Sequence, residues 1–328
     1  MSSTAPTPTI DELLADSHVL SLPMRTRFRG ITTREVMLFQ GPAGWGEFSP
    51  FLEYDDRESA SWLRAGIEAA WDGPPQPYRE RVRVNATVPA VPAHEVPAVL
   101  ARYAGVDTAK IKVAEKGQSV ADDVARVRAV RAEIPRVRID ANGGWSVDEA
   151  VHALTLLLED GELEYAEQPC ATVPELVEVR KRLPGVRIAA DESVRRAEDP
   201  LRVVRAGGAD VAVVKVAPLG GMRALLELAG ELSEYGVPVV VSSALDSAVG
   251  MAAGLAAAAA IPKQEFACGL GTGSLFETDV CATPELLDGT LPALTAVPDP
   301  DRLQALAASA ERAAWWRERA MRCFTLLR

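Results

Sequence analysis

The sequence predicts an α/β fold, a (β/α)7β barrel of the TIM type carrying an α+β capping domain formed by the N-terminal region and the C-terminal tail. Three observations predict it. Short runs rich in β-branched residues recur eight times through the middle of the 328-residue chain, and segments of helical period lie between most of them. Successive runs end at Lys112, Asp140, Glu167, Asp191, Lys215 and Ser243, a spacing of roughly 24 to 28 residues, about one β-α unit with its two loops. No glycine-rich phosphate turn follows the early strands, so a closed barrel is favoured over an open doubly wound sheet.

In chain order, residues 1–14 read as a frayed tail entering an acidic helix. Residues 25–40, a turn at Gly41-Pro42-Ala43-Gly44 and residues 45–48 read as a small antiparallel meander. A helix over 57–70 and the Pro-rich segment 73–77, a plausible linker, follow. The barrel strands are expected at 82–88, 109–113, 137–140, 164–167, 187–191, 209–215, 237–243 and 264–268. Helices are expected at 119–133, 147–159, 173–183, 198–206 and 222–235, with an Ala- and Gly-rich buried helix over 249–261. Residues 292–300 read as a loop, and 303–323 as one amphipathic helix bearing Trp315 and Trp316 that packs back on the N-terminal layer. The domains expected are a cap from 1–80 and 290–328 and a barrel from 81–289, a size that suits the fold.

Composition narrows the function. Hydrophobic residues make up 48% of the chain, ample for a core, and the formal charge of −11 has the wrong sign for a nucleic-acid binder. The four cysteines, at 170, 268, 281 and 323, form no CxxC pair, which fits a reducing cytoplasm and argues against structural zinc. The most apolar stretch is too short to cross a bilayer, and the N-terminus has no basic segment leading an apolar run. The expectation is a cytoplasmic protein, a monomer in the simplest case, with a small-molecule carboxylate as its partner and neither nucleic acid nor membrane.

The chemistry lies in the strand ends. In such a barrel the carboxyl ends of the strands form the active-site face. Asp140, Glu167 and Asp191 close three consecutive strands, so three carboxylates meet at one mouth. A lone acid at a strand end is usually a cap or a solvated loop residue; three in register suit a hard cation, Mg²⁺ or in its place Mn²⁺, and no His or Cys accompanies them to suggest zinc or copper. Glu192 should face away from Asp191 by strand alternation. Lys110 and Lys112 share one strand face, with Ile111 on the other, and Lys215 ends the sixth strand; lysine is seldom buried in a core strand without a function. A metal holding a substrate carboxylate, with a neutral lysine beside it, can take the proton α to that carboxylate and stabilise the enediolate. A second ammonium at Lys110 favours the neutral amine at Lys112. His18, His94 and His152 lie outside every strand end, so a histidine base has no candidate.

Lys110-Ile111-Lys112, Asp140-Ala141-Asn142, Glu167-Gln168-Pro169, Ala190-Asp191-Glu192-Ser193 and Lys215 together resemble the enolase superfamily, muconate-lactonising subgroup. The likeness extends over nearly the whole chain. Gly44-Trp45-Gly46-Glu47-Phe48-Ser49-Pro50, Asn85-Ala86-Thr87-Val88-Pro89, Ser242-Ser243-Ala244-Leu245 and Gly269-Leu270-Gly271-Thr272 are similar to a dehydratase branch of that subgroup serving menaquinone biosynthesis. The resemblance implies that 2-succinyl-6-hydroxy-2,4-cyclohexadiene-1-carboxylate loses water and becomes aromatic. It implies Lys112 as base and then acid, Lys215 as the charged group opposite, Lys110 as the group that tunes Lys112, and Asn142 as a support behind the metal carboxylates Asp140, Glu167 and Asp191. Ser242, Ser243, Gly269 and Gly271 are expected to hold the succinyl carboxylate. Arg25, Arg27 and Arg29 alternate on one strand face and read mainly as solvated, while Phe48, Ser49 and Phe51 could wall the pocket. The competing reading is racemisation of an N-acylamino acid or epimerisation of a dipeptide by the same two lysines; the stretch 269–274 carries no acid for a substrate ammonium, which favours an anionic substrate. A Schiff-base aldolase using Lys215 would leave the three carboxylates idle.

Overall fold

A computed structural model describes residues 8–28, 30–195, 199–282 and 284–327. The chain opens with a short helix, Ile10–Ala15, closed by a reciprocal capping box between Thr9 and Glu12. Strands β1 (Ser17–Phe28), β2 (Ile31–Gly41) and β3 (Gly44–Phe48) then form an antiparallel sheet in the order β1-β2-β3. The stretch 25–40 of the expected meander contains the end of β1, the turn and most of β2, and the register shifts within β1 between Pro23 and Phe28. The first half of β1, Ser17 to Pro23, was hidden by its proline, a residue that lacks a ladder donor. The helix Asp56–Trp71 crosses this sheet. It approaches so closely that a Cβ on Gly46 would stand 2.2 Å from the Gly66 carbonyl oxygen, so only glycine fits there.

The barrel is a parallel sheet of seven strands in sequence order: β5 (Ala86–Val88), β6 (Thr108–Lys112), β7 (Arg136–Asp140), β8 (Ala166–Glu167), β9 (Ile188–Ala190), β10 (Val211–Val214) and β11 (Val239–Val241). The run expected at 82–88 divides. Its first part, β4 (Arg81–Arg83), pairs antiparallel with β12 (Thr290–Pro292) outside the ring. The eighth run, 264–268, is not a regular strand, yet it closes the ring. Cys268 bridges Val84 and Gly269 bridges Ser242, both in parallel sense, through Asn85 N to Cys268 O at 2.9 Å and Gly269 N to Val241 O at 2.8 Å. The ring thus has eight positions, counted from β5.

Helices return each strand to the next. Ser119 with Asp122 and Ser146 with Glu149 form reciprocal capping boxes that start Val120–Arg131 and Val147–Leu158. Val173–Arg182, Met222–Glu234 and Ala248–Ala259 also follow the expected periods. The helix expected over 198–206 is shorter, Arg202–Arg205, and residue 198 lies outside the described residues. The single helix expected over 303–323 is two, Pro300–Ala305 and Ala310–Thr325. Between them Ala307 bridges Leu20 of β1, and Ser309 caps the second helix by accepting from Arg312 N. That second helix packs on the N-terminal layer. Arg312 pairs with Glu35 at 2.6 Å, Trp316 Nε1 donates to Glu35 at 3.1 Å, and buried Arg319 donates to the carbonyls of Phe51 and Tyr54. No helix among the described residues is long and apolar enough to cross a membrane, and all four cysteines are free thiols.

Candidate active site

Alternation along each strand sends every second side chain into the ring. On β6 these are Lys110 and Lys112, while Ile111 is fully buried in the outer layer. Below them the ring is filled by Tyr165, Ala189, Val211, Val213, Val240 and Phe266. Arg138 lies among them, its guanidinium 4.7 Å from the Tyr165 ring centre, donating to Ala267 O at 2.7 Å and paired with Glu164. This floor is packed, and the polar cleft lies at the upper end.

At that end Asp140 and Glu167 are register partners on β7 and β8, and Asp191 follows β9 directly. All three are at most 3% exposed. Lys110 Nζ donates to Asp140 Oδ2 at 3.1 Å and to the two Glu167 oxygens at 2.9 and 3.0 Å. Lys112 Nζ reaches the same Asp140 oxygen at 3.0 Å, and Lys215 Nζ sits 2.5 Å from Asp191 Oδ2. Three buried carboxylates therefore face three ammonium groups. Burial works against the charge on Asp140, but Lys112 and Lys110 outweigh it and hold the carboxyl well below the usual range. Glu167 goes the other way: burial, together with the charge of Asp140, pushes it up to about 7 although Lys110 opposes. For Lys110 burial favours the neutral amine, and the charges of Glu167 and Asp140 overcome it, so its ammonium is held well above the ordinary lysine range.

The backbone around these groups is strained where the strands end. Among the described residues the non-glycine positions with left-handed φ are Ala114, Asn142, Gln168, Leu245 and Asp288, and the first four lie just beyond Lys112, Asp140, Glu167 and Ser243. The strain is held by hydrogen bonds. Asn142 N donates to Asp140 Oδ1 at 3.0 Å and its side chain to Glu192 at 3.3 Å. Gln168 Oε1 accepts from Asp191 N at 3.1 Å and Ser193 N at 3.2 Å. Asn142 and Gln168 thus fix the carboxylates from behind.

The cleft above is lined by Lys110, Lys112, Asp140, Asn142, Asp191, Lys215, Ser242, Ser243 and Gly269, joined by Phe28, Thr87, Ala244, Leu245 and Thr272. Glu167 lies beneath it, fully buried. Gly271 is the exception among the expected residues. It faces the other side of its loop, toward Asn85 and Tyr103, and lines a separate, mainly apolar cavity of about 470 Å³ that contains none of the strand-end lysines or carboxylates. Thr272 stands in the cleft instead, its hydroxyl 2.5 Å from Ser243 Oγ. Phe48 and Phe51 are core residues of the N-terminal layer, not pocket walls, and Ser49 is turned to Glu47 at 2.6 Å. Phe28 is the aromatic wall, 5.9 Å from Lys112 Nζ. Arg25 donates to Glu277 O and Arg27 to Gly30 O, both away from the cleft; Arg29 lies outside the described residues. Thr87 and Phe28 were not anticipated; for Thr272 the expectation concerned the backbone of 269–272, not the side chain that stands in the cleft. Thr87 is the register partner of Lys110, and among the described residues its buried hydroxyl has no hydrogen-bond partner.

The donor set suits a hard divalent cation. The three acids supply only oxygens, on adjacent strands, in a buried pocket, the ligand type that a hard cation takes. As they stand, their oxygens are turned to lysine ammonium groups, and among the described residues no three acids, imidazoles or thiols are gathered tightly enough to enclose an ion.

Comparison with known proteins gives a consistent set of likenesses. The profile of the family described as Enolase N-terminal domain-like matches residues 19–70, and that described as Enolase C-terminal domain-like matches residues 95–297. A Mycobacterium marinum protein named o-succinylbenzoate synthase is 60% identical over 319 residues, 97% of this chain and 96% of that protein. A Mycobacterium tuberculosis protein of the same name is 59% identical over 320 residues, 98% of this chain and 97% of that protein. Among solved structures, the muconate lactonizing enzyme from Pseudomonas putida superposes with a TM-score of 0.74 at 19% identity, covering 89% of this chain and 98% of its own. The L-Ala-D/L-Glu epimerase from Bacillus subtilis gives 0.72 at 22% identity, covering 84% and 94%. These two speak for the fold alone.

Proposed function

The chain belongs to the enolase superfamily and, within it, to the o-succinylbenzoate synthases, and from that premise we propose how its own side chains carry out the reaction. The enzyme is a hydro-lyase that removes water from 2-succinyl-6-hydroxy-2,4-cyclohexadiene-1-carboxylate to give o-succinylbenzoate for menaquinone biosynthesis. Lys112 takes the proton α to the ring carboxylate, and the C–H electron pair passes into an enediolate. The ring hydroxyl then leaves, Lys112 returns the proton to it as water, and the ring becomes aromatic. One residue serves both steps from one face of the ring.

The observation that carries this reading is the placement of the lysines. Lys112 ends β6 and Lys215 follows β10, the second and sixth of eight ring positions, so they face each other across the mouth. Lys215, paired with Asp191, stays charged on the opposite face and stabilises the enediolate and the flat ring, in part as a cation over a π-system. Lys110 remains an ammonium beside Lys112 and binds carboxylate oxygen. Asp140, Glu167 and Asp191 would hold a divalent cation, Mg²⁺ or Mn²⁺, which when bound supplies Lewis-acid stabilisation of negative charge on the substrate carboxylate. Ser242 and Ser243, with the backbone at Gly269, receive the succinyl carboxylate, and Thr272 orients Ser243. The next acid along the chain after the closing segment is Glu277, and it is exposed. Apart from Asp140 and Asp191, which are assigned to the cation, the residues lining the cleft include no acid for a substrate ammonium, which favours a dianionic substrate over a dipeptide.

The cap is assigned to 1–80 and 290–328 and the barrel to 81–289, the enzyme acting in the cytoplasm as a single chain on a small carboxylate. The test is turnover: purified protein with Mg²⁺ and the cyclohexadiene substrate, followed optically, repeated with EDTA. Rapid loss of substrate that EDTA abolishes and Mg²⁺ restores supports the reading. An inactive protein that instead exchanges the α-proton of N-succinylamino acids in D₂O would keep the proton chemistry and overturn the substrate.

A further inference from the structure

The wall of the cleft that carries Ser242 and Ser243 is not held by the barrel alone. It is the connection from β11 to the helix Ala248–Ala259, and its shape depends on two buried charged residues of the N-terminal sheet. Arg34, on β2 and 3% exposed, donates from Nε to the Leu245 carbonyl at 3.1 Å and from its other end to the Ser49 carbonyl, while its guanidinium rests 4.4 Å from the Phe51 ring centre. Leu245 is the residue forced to φ +63°, a conformation a branched side chain adopts only under restraint. Glu47, on β3 and 7% exposed, accepts from Ser49 Oγ at 2.6 Å, Ser247 Oγ at 2.5 Å, Ser247 N at 3.1 Å and Gly250 N at 3.0 Å. Its carboxylate thereby occupies the first turn of the helix Ala248–Ala259, whose remaining leading amides go to Asp279 and Ser247.

Between these two anchors the wall has its own short bonds. Asp246 accepts from Ala244 N at 2.9 Å, and Leu245 N lies 3.4 Å from Ser243 Oγ, the hydroxyl that also meets Thr272. A Cβ on Gly250 would stand 2.9 Å from Glu47 Oε2 and 2.8 Å from the Asp246 Cβ, so the fit leaves no slack.

We propose that Glu47 and Arg34 are positioning residues for the reaction: from the N-terminal sheet they clamp residues 244–250 and so set where Ser242 and Ser243 meet the distal carboxylate of the substrate. The inference rests on the reading that these serines receive that carboxylate. Neither clamp residue lines the cleft. Losing the clamp frees the wall without touching Lys112 or Lys215, so substrate binding suffers and the chemical step is spared.

The experiment is a double-mutant cycle on the full-length, Mg²⁺-saturated enzyme with the cyclohexadiene substrate. It compares wild type, Glu47→Gln, Ser243→Ala and the double variant, with Glu47→Asp and Arg34→Lys as conservative partners and melting curves for each. Glu47→Gln puts an amide donor against backbone donors. The expected result is a KM raised about tenfold with kcat within about threefold, partial recovery in Glu47→Asp, and a much smaller effect in the Ser243→Ala background. If Glu47→Gln fails to fold, Arg34→Gln carries the same comparison, with Arg34→Lys as its conservative partner. A normal KM for the clamp variants while Ser243→Ala raises it, or losses that simply multiply in the double variant, overturns the inference alone. A normal KM for Ser243→Ala itself overturns the reading of the serines beneath it.

Discussion

Asp246→Asn is expected to abolish a pH dependence of stability that the wild-type protein carries. Asp246 is buried at 9% exposure, and burial followed by the nearby charge of Glu47 pushes its carboxyl up to about 7 from an ordinary 3.8. Glu47 cannot turn away, because Ser49, Ser247 and Gly250 all donate to it. The folded protein therefore keeps a proton that the unfolded chain has released once the pH passes about 4. A raised carboxyl stabilises most at low pH, and that stability drains as pH climbs to the folded value. Between about pH 5 and pH 8 the span is about 2 units, worth about 3 kcal/mol at roughly 1.4 kcal/mol per unit. Asparagine keeps the shape and the acceptor for Ala244 N and has no proton to lose. Asp279, also raised by burial, to about 6, is present in both proteins and cancels. Urea unfolding at several pH values should show wild type losing about 3 kcal/mol relative to the variant across this range. Two parallel curves would refute the raised carboxyl of Asp246.

Other expectations follow from the same geometry. Arg138→Ala should cost about 3–5 kcal/mol in urea unfolding, because it empties a fully buried site in the barrel floor and takes a donor from Asn85, Tyr165 and the Ala267 carbonyl. Gly46→Ala should destabilise by more than the about 1 kcal/mol of an average point substitution, since its Cβ meets the Gly66 carbonyl at 2.2 Å; a neutral melting shift would contradict the packing. Mg²⁺ at about a hundred times its dissociation constant should stabilise the protein by about 2.7 kcal/mol, and Asp191→Asn should shrink that gain, both read from melting curves with and without metal. Thr87→Val, isosteric and with no bond to lose within the protein, should leave stability within about 0.5 kcal/mol while changing KM if the hydroxyl meets the substrate.

The residues that make the mouth were legible because strand alternation and an architectural period of one β-α unit act on neighbours in sequence. Lys110, Lys112, Asp140, Glu167, Asp191 and Lys215 could all be placed from the period alone. Gly271 was misplaced because the eighth run is not a regular strand, so alternation had no ladder to enforce it beyond Gly269. Phe48 and Phe51 were misread for a different reason: an aromatic residue near a pocket and one in a core look alike in sequence, and only the packing of Phe48 on Trp316 and of Phe51 on Trp62 separates them. The break at Ala307 was hidden because 303–323 keeps a helical period on both sides of it. Glu47 and Arg34 lie some 200 residues from the wall they hold, a distance over which no local pattern carries information.

The central claim is that Lys112 moves the proton. Lys112→Ala, shown by its melting curve and Mg²⁺ response to be folded and metal-competent, should be examined in single turnover with saturating substrate against wild type and Lys215→Ala. The account predicts a loss of at least about a thousandfold for Lys112→Ala. A rate within about tenfold of wild type would contradict it, whatever Lys215→Ala does.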